Sequence, residues 1–302
     1  MVVGAASRDL APDDARSWRL GGTASYVSLT AARLGVRVGC LLGVDALAAA
    51  AAELDELEAA GVRLHRVRLT RGPVFENVEC DGHRRQRWVS ASDPVPMAAL
   101  PAGWRDAPGW LFGPIAGELA DGWAAVPAAG AHVCLGWQGL LREFAADGWV
   151  VRTVPRPSAL LSRAGLVCAS LDDLPPDAAL EDLHGLSPRA SLVLTDGERG
   201  GLAITPGPDG AEGAGRQRRT DRYRAIPAAP TDPTGAGDVF MAALTAAWLA
   251  TGELATPRAL RLAAAAGSCA VEGPGLRGVP TGEQVLARLS AGPARSRAVN
   301  RE

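Results

Sequence analysis

The chain alternates short apolar runs with stretches rich in alanine and leucine. Apolar runs of about four to eight residues between turn residues are typical of strands. The predicted strands span residues 36–44, 62–69, 131–137, 165–170 and 191–196. Residues 46–60 predict a helix that ends at Gly61, because glycine is favoured just beyond a helix C-terminus. The alternation predicts an α/β fold with a mostly parallel central sheet flanked by helices, whose strand carboxyl ends would bind ligands.

One segment departs from this alternation. Residues 73–90 contain two extended, polar runs around Asp81-Gly82, a pair favoured in the turn of a type I′ hairpin. The segment is too polar for a central strand. We expect a hairpin that projects from the main sheet, as a lid, as a dimer contact or as a plain surface hairpin. The predicted organisation is one domain over 1–290 with a small β-lid from about 11–20 and 70–92, a loop over 206–221 and a tail over 291–302.

Composition narrows the function classes. The net charge of the 302 residues is -2, which gives no global attraction to nucleic acid or to an anionic membrane. No apolar window is long enough for a membrane span, and the N-terminus lacks a signal-peptide pattern, so we expect a cytoplasmic protein. The five cysteines and four histidines are scattered, which argues against a disulfide framework or a structural metal site. Every one of the 31 basic residues is arginine, so a phosphate loop that needs lysine is excluded.

The most informative stretch runs from Thr231 to Ala250. An apolar helix is predicted from about Gly237, and the small residues of 233–237 precede it. Small residues let backbone N–H groups approach a ligand, and a helix N-terminus adds free donors and the positive end of a dipole. This combination suits an anion such as phosphate. Asp238 in the first helical turn would then accept a proton from a substrate hydroxyl during phosphoryl transfer, and Asp232 flanks the other side.

The sequence Asp-Pro-Thr-Gly-Ala-Gly-Asp at 232–238 resembles the C-terminal signature of the ribokinase-like, or PfkB, family of carbohydrate kinases. Gly21-Gly22-Thr23 through Ala32-Arg33-Leu34-Gly35 resembles the Gly-Gly motif near the N-terminus of that family. Weaker matches, in the same order along the chain, are Gly4, Asp9 and the turn over 195–200. The resemblance therefore covers nearly the whole chain and implies an ATP-dependent, magnesium-requiring kinase for a sugar or polyol.

The resemblance also implies a role for each matching residue. Asp238 would be the general base, with the amides of Gly235, Ala236 and Gly237 stabilising the transferring phosphoryl group. Substrate contacts would come from Asp9, Gly21, Gly22, Tyr26 and Arg142. Nucleotide contacts would come from Thr195, Gly197, Gly200, Thr234 and Gly275. Asp173 would order magnesium waters, and Asp232, the Thr234 carbonyl and the 273–275 loop would hold a monovalent cation in those members that bind one.

Two positions depart from the family pattern. An Asn-x-x-Glu pair that organises magnesium waters in many members corresponds to Ser170–Asp173 here, where Asp173 has a shorter reach. The sugar-contacting Asn after the Gly-Gly motif is Tyr26, which argues against a simple ribose or fructose substrate. Together with 87–94 and 137–142, Tyr26 resembles the myo-inositol kinase branch. Arg142 is either a phosphate or substrate ligand or a solvated arginine on a helix face.

Three other functions are compatible with parts of the sequence. Residues 273–278 match Gly-x-Gly-x-x-Gly, but a proline interrupts the motif and no helix clearly follows, so a dinucleotide oxidoreductase is disfavoured. A non-catalytic, sugar-responsive binding protein on the same scaffold is the alternative from another class. A nucleoside kinase of the same family is the alternative substrate class. A homodimer through the lid is a further expectation.

Overall fold

The computed structural model describes residues 1–80, 83–207 and 218–291. The strands in chain order are β1 (Val2–Ala5), β2 (Ser7–Leu10), β3 (Trp18–Gly21), β4 (Gly39–Val44), β5 (Arg63–Arg68), β6 (Val74–Cys80), β7 (His83–Ser90), β8 (Gly109–Phe112), β9 (His132–Gly136), β10 (Arg142–Phe144), β11 (Val150–Arg152), β12 (Leu166–Ser170), β13 (Ser191–Thr195), β14 (Gly201–Pro206) and β15 (Arg218–Tyr223). The α-helices are α1 (Thr23–Arg33), α2 (Glu53–Ala59), α3 (Ala159–Arg163), α4 (Leu180–Leu186), α5 (Ala236–Thr251), α6 (Pro257–Ala270) and α7 (Gly282–Ser290).

Nine strands form the main sheet, in the order β15-β14-β13-β12-β9-β8-β1-β4-β5. Neighbouring strands from β13 to β5 pair in parallel. At the other edge, β14 pairs antiparallel with β13, and β15 pairs antiparallel with β14. Apolar side chains cover both faces. One core packs α1, α5 and α6 on one face, and a tryptophan-rich core around Trp110, Trp123 and Trp137 packs on the other. The predicted α/β fold class is thus confirmed.

The predicted elements differ from the observed ones mainly at their ends. Each of the five predicted strands is present, with its bounds trimmed by one to three residues. The helix predicted over 46–60 is instead a 3-10 turn at Ala48–Ala50 followed by α2, because Ala51 adopts an extended conformation between them. Gly61 lies beyond α2 with a φ of 94°, the left-handed region that favours glycine.

The expectation of a loop over 206–221 is wrong at residues 218–221. These residues belong to β15, which pairs antiparallel with β14 and forms an edge of the main sheet. Charged residues are common on edge strands, because they discourage pairing with another chain, and this composition concealed the strand. Residues 208–217 and the predicted tail from 292 onward lie outside the described residues.

A second sheet of four strands, in the order β3-β2-β6-β7, contains the predicted hairpin. Strand β2 pairs in parallel with β6, which sets Asp9 opposite Phe75. The hairpin strands β6 and β7 pair with each other, and the predicted turn at Asp81-Gly82 lies outside the described residues. The lid sheet, as we call these four strands, thus joins the predicted hairpin to the start of the chain. Its role as a dimer contact stays a prediction.

Aromatic contacts pack the lid sheet against the short ribbon formed by β10 and β11. Phe75 and Trp88 lie on the lid sheet, and Phe144 lies on β10. The ring centroids of Trp88 and Phe144 are 5.0 Å apart, and those of Phe75 and Phe144 are 6.3 Å apart. Ile115 and Ala116 complete this small core. None of the described helices is both long and apolar enough to cross a bilayer.

An ion pair ties the lid sheet to the main sheet. Arg8 of β2 donates from Nε to Asp45 Oδ2 at 3.0 Å, and the Asp45 side chain is only 8% exposed. Asp45 Oδ1 also accepts the backbone N–H groups of Leu47 and Ala48. Asp45 therefore holds both the lid strand and the turn that follows β4.

We expect Asp45→Ala to destabilise the protein by about 3 kcal/mol, because it leaves Arg8 without its carboxylate partner and removes a turn cap. Urea unfolding would measure this loss. The control is Asp13→Ala, which removes a 72% exposed partner of Arg19 and should cost less than about 1 kcal/mol. Equal losses in the two variants would contradict the assigned role of Asp45.

Candidate active site

The loop before α5 is the centre of the candidate site. Gly235 has a φ of 79° and precedes the first residue of the helix, so its left-handed conformation starts α5 and leaves the first backbone N–H groups free of intrahelical partners. Asp232 organises the loop. Its Oδ1 accepts the N–H of Thr234 at 2.9 Å, and its Oδ2 accepts the N–H of Gly275 at 3.1 Å. We call residues 233–237 the anion loop. Asp238 follows in the first turn of α5.

Tyr26 packs directly against this loop. A Cβ atom on Gly235 would lie 2.2 Å from the Tyr26 ring, so glycine is required by close approach as well as by φ. Tyr26 is only 2% exposed. The resemblance implies a substrate contact for Tyr26, and this stays a prediction; the structure shows its ring packed against Gly235 of the anion loop. Its buried position makes it a support for the loop.

Asp9, Gly21 and Gly22 lie together where β2 and β3 pair and α1 begins. Strands β2 and β3 pair with Asp9 opposite Arg19 and Ser7 opposite Gly21. The Asp9 carboxylate covers Gly21, where a Cβ atom would lie 2.2 Å from Asp9 Oδ2, and Ser7 Oγ donates to Asp9 Oδ1 at 2.8 Å. Gly22 turns the chain into α1 with a φ of 91°. This turn aligns the carboxylate with the start of α1.

Arg142 is neither on a helix nor solvated. It begins β10, its side chain is 14% exposed, and its guanidinium joins two parts of the site. One nitrogen donates to Gln86 Oε1 of the lid sheet at 2.9 Å, and the other donates to Asp173 Oδ1 at 3.4 Å. The interpretation as a solvated helix-face arginine is therefore wrong. Arg142 connects the lid sheet to the end of β12.

Asp173 lies just after β12 and is held firmly. Its Oδ2 accepts the N–H of Ser170 in a capping box, and its Oδ1 accepts Gln138 Nε2 at 3.0 Å as well as Arg142. Because these donors already engage both oxygens, Asp173 suits a contact to metal-bound water better than a direct bond to a metal. Among residues 1–80, 83–207 and 218–291, no cluster of three or more His, Cys, Asp or Glu side chains could hold a metal ion. A magnesium ion would then rely on phosphate oxygens and water.

The residues predicted to contact a nucleotide fall into two places. Thr195 ends β13, the strand next to β12, and Gly197 and Gly200 follow it, so all three lie along the same sheet edge as Asp173. Gly200 has a φ of 95°, and a Cβ there would collide with the Tyr223 carbonyl oxygen. Thr234 and Gly275 lie at the anion loop through their bonds to Asp232. An Arg19 guanidinium nitrogen lies 3.9 Å from Asp232 Oδ2, so positive charge is already close to the carboxylate predicted at a monovalent cation site.

Burial and neighbouring charge act on Asp238. Loss of water around the side chain, mainly, raises the pKa of Asp238 to about 7, and the nearby carboxylates of Asp173 and Asp9 raise it further. A hydrogen bond from Thr23 and the charge of Arg142 act in the opposite direction. The interaction of Arg142 with Asp173, Asp238 and Asp9 shows that these four charges share one neighbourhood. A carboxylate with a pKa near neutrality is suited to accept and release a proton.

Three residues of the site were not predicted from the sequence: Thr23, Gln86 and Gln138. Thr23 lies inside the quoted Gly-Gly motif, and Gln86 lies in the polar pattern of the predicted hairpin. Gln138 lies inside the stretch 137–142, but its contact with Asp173 depends on how β9 and β12 are placed side by side, which no local pattern encodes.

The comparisons with known proteins agree with this geometry. A family model described as pfkB family carbohydrate kinase matches residues 156–281. A pyrophosphate-dependent kinase in the ribokinase family, solved with a pyrophosphate analog and myo-inositol, superposes with a TM-score of 0.70 at 18% identity, over 95% of this chain and 98% of that chain. Fructokinase with bound ATP from Xylella fastidiosa superposes with a TM-score of 0.69 at 19% identity, over 96% of this chain and 98% of that chain. Arabidopsis thaliana ribokinase with ribose and ATP superposes with a TM-score of 0.64 at 19% identity, over 95% of this chain and 98% of that chain. Among curated proteins, none matches significantly.

The fold is therefore that of the ribokinase-type sugar and polyol kinases. The match to the pfkB family model covers residues 156–281, a stretch that includes the anion loop and Asp238, and the superpositions show the ribokinase-type fold over nearly the whole chain. The chain is accordingly a phosphotransferase whose acceptor is an alcohol group.

The raised pKa of Asp238 has a consequence for stability. Between about pH 4 and pH 7 the folded state keeps a proton that the unfolded state releases, so Asp238 should lower stability as the pH rises through this window. Asp238→Asn removes this titration. We expect the variant to unfold at a higher urea concentration than the wild type at pH 8, with the difference shrinking toward pH 5.

Asp172→Asn is the control, because Asp172 is exposed on the same side of the sheet. It should follow the wild-type pH dependence throughout. A wild-type pH dependence in Asp238→Asn as well would show that Asp238 has an ordinary pKa.

Proposed function

We propose that this protein transfers the γ-phosphoryl group of ATP to a hydroxyl of a carbohydrate or cyclic polyol, with Asp238 as the general base. The observation that carries the proposal is the position of Asp238, in the first helical turn directly after the anion loop and with a raised pKa. Another acid in this neighbourhood, Asp173, is engaged by Ser170, Gln138 and Arg142. Asp238 is the acid best placed to receive a proton.

The reaction follows from this arrangement. The acceptor oxygen forms a bond to phosphorus while the bond between phosphorus and the donor's bridging oxygen breaks, and the hydroxyl proton passes to Asp238. Negative charge on the transferring group would be stabilised by the N–H groups of Gly235, Ala236 and Gly237 at the positive end of α5. The anion loop needs no lysine for this task, in agreement with a chain that has none.

The acceptor site is formed by polar groups from both sheets. Asp9 and the Gly21-Gly22 turn would bind hydroxyl groups from one side, and Arg142 would bind from the other. Gln86 on the lid sheet is fixed by Arg142 at 2.9 Å and by Asn77, whose Oδ1 accepts from Gln86 at 3.2 Å. A site with this many polar groups favours a polyhydroxylated ring and rejects analogues that lack its hydroxyls. We therefore propose a cyclic polyol of the myo-inositol type ahead of a nucleoside.

The donor would lie along the carboxyl edge of β12 and β13. Thr195, Gly197 and Gly200 lie on this edge and Asp173 is next to them, which suits a nucleotide with magnesium on its phosphates. Magnesium would supply positive charge to the transferring group, while Asp173 would orient its waters. A monovalent cation bound near Asp232 would share that carboxylate with Arg19, whose guanidinium lies 3.9 Å from it.

Pyrophosphate is a second candidate donor. A solved structure that superposes with a TM-score of 0.70 is described as a pyrophosphate-dependent kinase with myo-inositol. Pyrophosphate would use the same anion loop and the same base. Turnover measured with each donor separately decides between them.

Asp238→Asn should lower kcat by about 10²- to 10⁴-fold with little change in KM, because the lost proton acceptor acts in the transition state. Steady-state phosphorylation of a polyol and sugar panel, with ATP and then pyrophosphate, gives both constants. Asp172→Asn should keep wild-type kinetics. A kcat within a few-fold of wild type in Asp238→Asn would rule out Asp238 as the general base. Saturable ligand binding without turnover in the wild-type protein would instead favour a non-catalytic, sugar-responsive binding protein.

Asp173→Ala should raise the magnesium concentration needed for half-maximal activity several-fold, because it removes an acceptor for metal-bound water. The variant also removes the carboxylate that holds the Arg142 guanidinium, so the KM for the acceptor should rise. Asp172→Ala is the matched control from the neighbouring, exposed position. If the magnesium dependence of Asp173→Ala equals that of Asp172→Ala, Asp173 does not order the metal.

A further inference from the structure

Arg19 links the lid sheet to the loop that carries Asp232. It lies on β3 opposite Asp9 of β2, and residues that face each other across paired strands share one face of the sheet. One guanidinium nitrogen of Arg19 is 3.9 Å from Asp232 Oδ2. The stem of Arg19 also lies on the neighbouring loop, because a Cβ atom on Gly275 would be 3.5 Å from Arg19 Cδ. Arg19 thus covers both the carboxylate and the loop beside it.

The resemblance to the family places a monovalent cation at these same groups, and the residues present do not fit such an ion. Asp232 Oδ1 accepts the N–H of Thr234 at 2.9 Å, and Asp232 Oδ2 accepts the N–H of Gly275 at 3.1 Å. The carboxylate that would bind the ion therefore already interacts with two N–H groups and a guanidinium. A metal cation placed beside Arg19 would also be repelled by a charge of its own sign.

We propose that the Arg19 guanidinium takes the place of a monovalent cation at Asp232, so that this protein works without one. The proposal rests on the proposed function, in which phosphate binds to the anion loop. A positive charge at Asp232 keeps the carboxylate from repelling that phosphate, and Arg19 supplies it permanently because its guanidinium stays protonated. Arg19 is a positioning residue, since it acts through the carboxylate that holds the N–H groups of Thr234 and Gly275.

The lid side of Arg19 holds the guanidinium in place. Asp13 accepts a hydrogen bond from it, and Asp14 Oδ2 is 3.8 Å from its Nε. Arg16 is a matched control for Arg19, because it lies in the same segment and also interacts with Asp14. Its other contact, however, is with Glu53, whose Oε2 accepts from Arg16 at 2.9 Å, on the side of the lid away from the anion loop.

Thermal melting in two salts tests the proposal without any need for turnover. The salts are KCl and tetramethylammonium chloride, each at about 0.1 M so that screening is equal. We expect the wild-type protein to melt within about 0.5 °C in the two salts. Arg19→Ala opens space beside Asp232, so K⁺ should bind there and raise the melting temperature by about 2 °C or more over tetramethylammonium. Arg19→Lys, which keeps a positive charge, and Arg16→Ala should stay insensitive to K⁺.

Turnover gives a second measurement. In tetramethylammonium chloride, Arg19→Ala should raise the KM for the donor about tenfold, and KCl should restore most of the loss. Arg16→Ala should keep the wild-type KM in both salts.

Either of two results would overturn the proposal: a wild-type protein that melts higher or turns over faster in K⁺, or Arg19→Ala that melts alike in the two salts. Should Arg19→Ala not fold, Arg19→Ser is melted in its place, and the wild-type comparison stands by itself. Absence of kinase activity with any acceptor would contradict the proposed function, while the melting temperatures would still decide the role of Arg19.

Discussion

The site depends on placing a carboxylate where water is scarce and negative charge must gather. Asp238 has lost much of its hydration and shares its surroundings with the carboxylates of Asp173 and Asp9. Each of these conditions opposes ionisation. The opposing interactions are few: the hydrogen bond from Thr23 and the charge of Arg142. The balance leaves the pKa of Asp238 near neutrality, which lowers the stability of the fold above that pH.

The architecture follows from that requirement. Helices α1 and α5 each begin at a glycine with positive φ, Gly22 and Gly235, and each glycine is also a point of close packing. These turns place Thr23 and Asp238 in the first turns of their helices. On the other side, Arg142 links the lid sheet to Asp173 through hydrogen bonds to two elements. The charge of Arg142 also acts on Asp238 and Asp9, so a change at the lid sheet or at the end of β12 alters the electrostatic surroundings of Asp238.

Much of the fold was predictable because its signals are local. Apolar runs marked the strands, and small residues before an apolar helix marked the anion loop. What failed has a physical reason in each case. The charges of β15 conceal its strand pattern, and the packing of Tyr26 against Gly235 has no local signal because the two residues are 209 positions apart in the chain. Gln86, Gln138, Arg142 and Asp173 form a network whose members come from three separate segments, and no spacing in the sequence encodes such contacts.

The central claim is that a hydroxyl of a small polyol or sugar receives a phosphoryl group in this site. ³¹P NMR tests it most directly, by following purified protein with magnesium, a donor and each member of an acceptor panel. We expect a new phosphomonoester resonance with at least one cyclic polyol, growing as the donor is consumed and absent with Asp238→Asn. Donor consumption that yields only inorganic phosphate, or no consumption with any acceptor and either donor, would contradict the account.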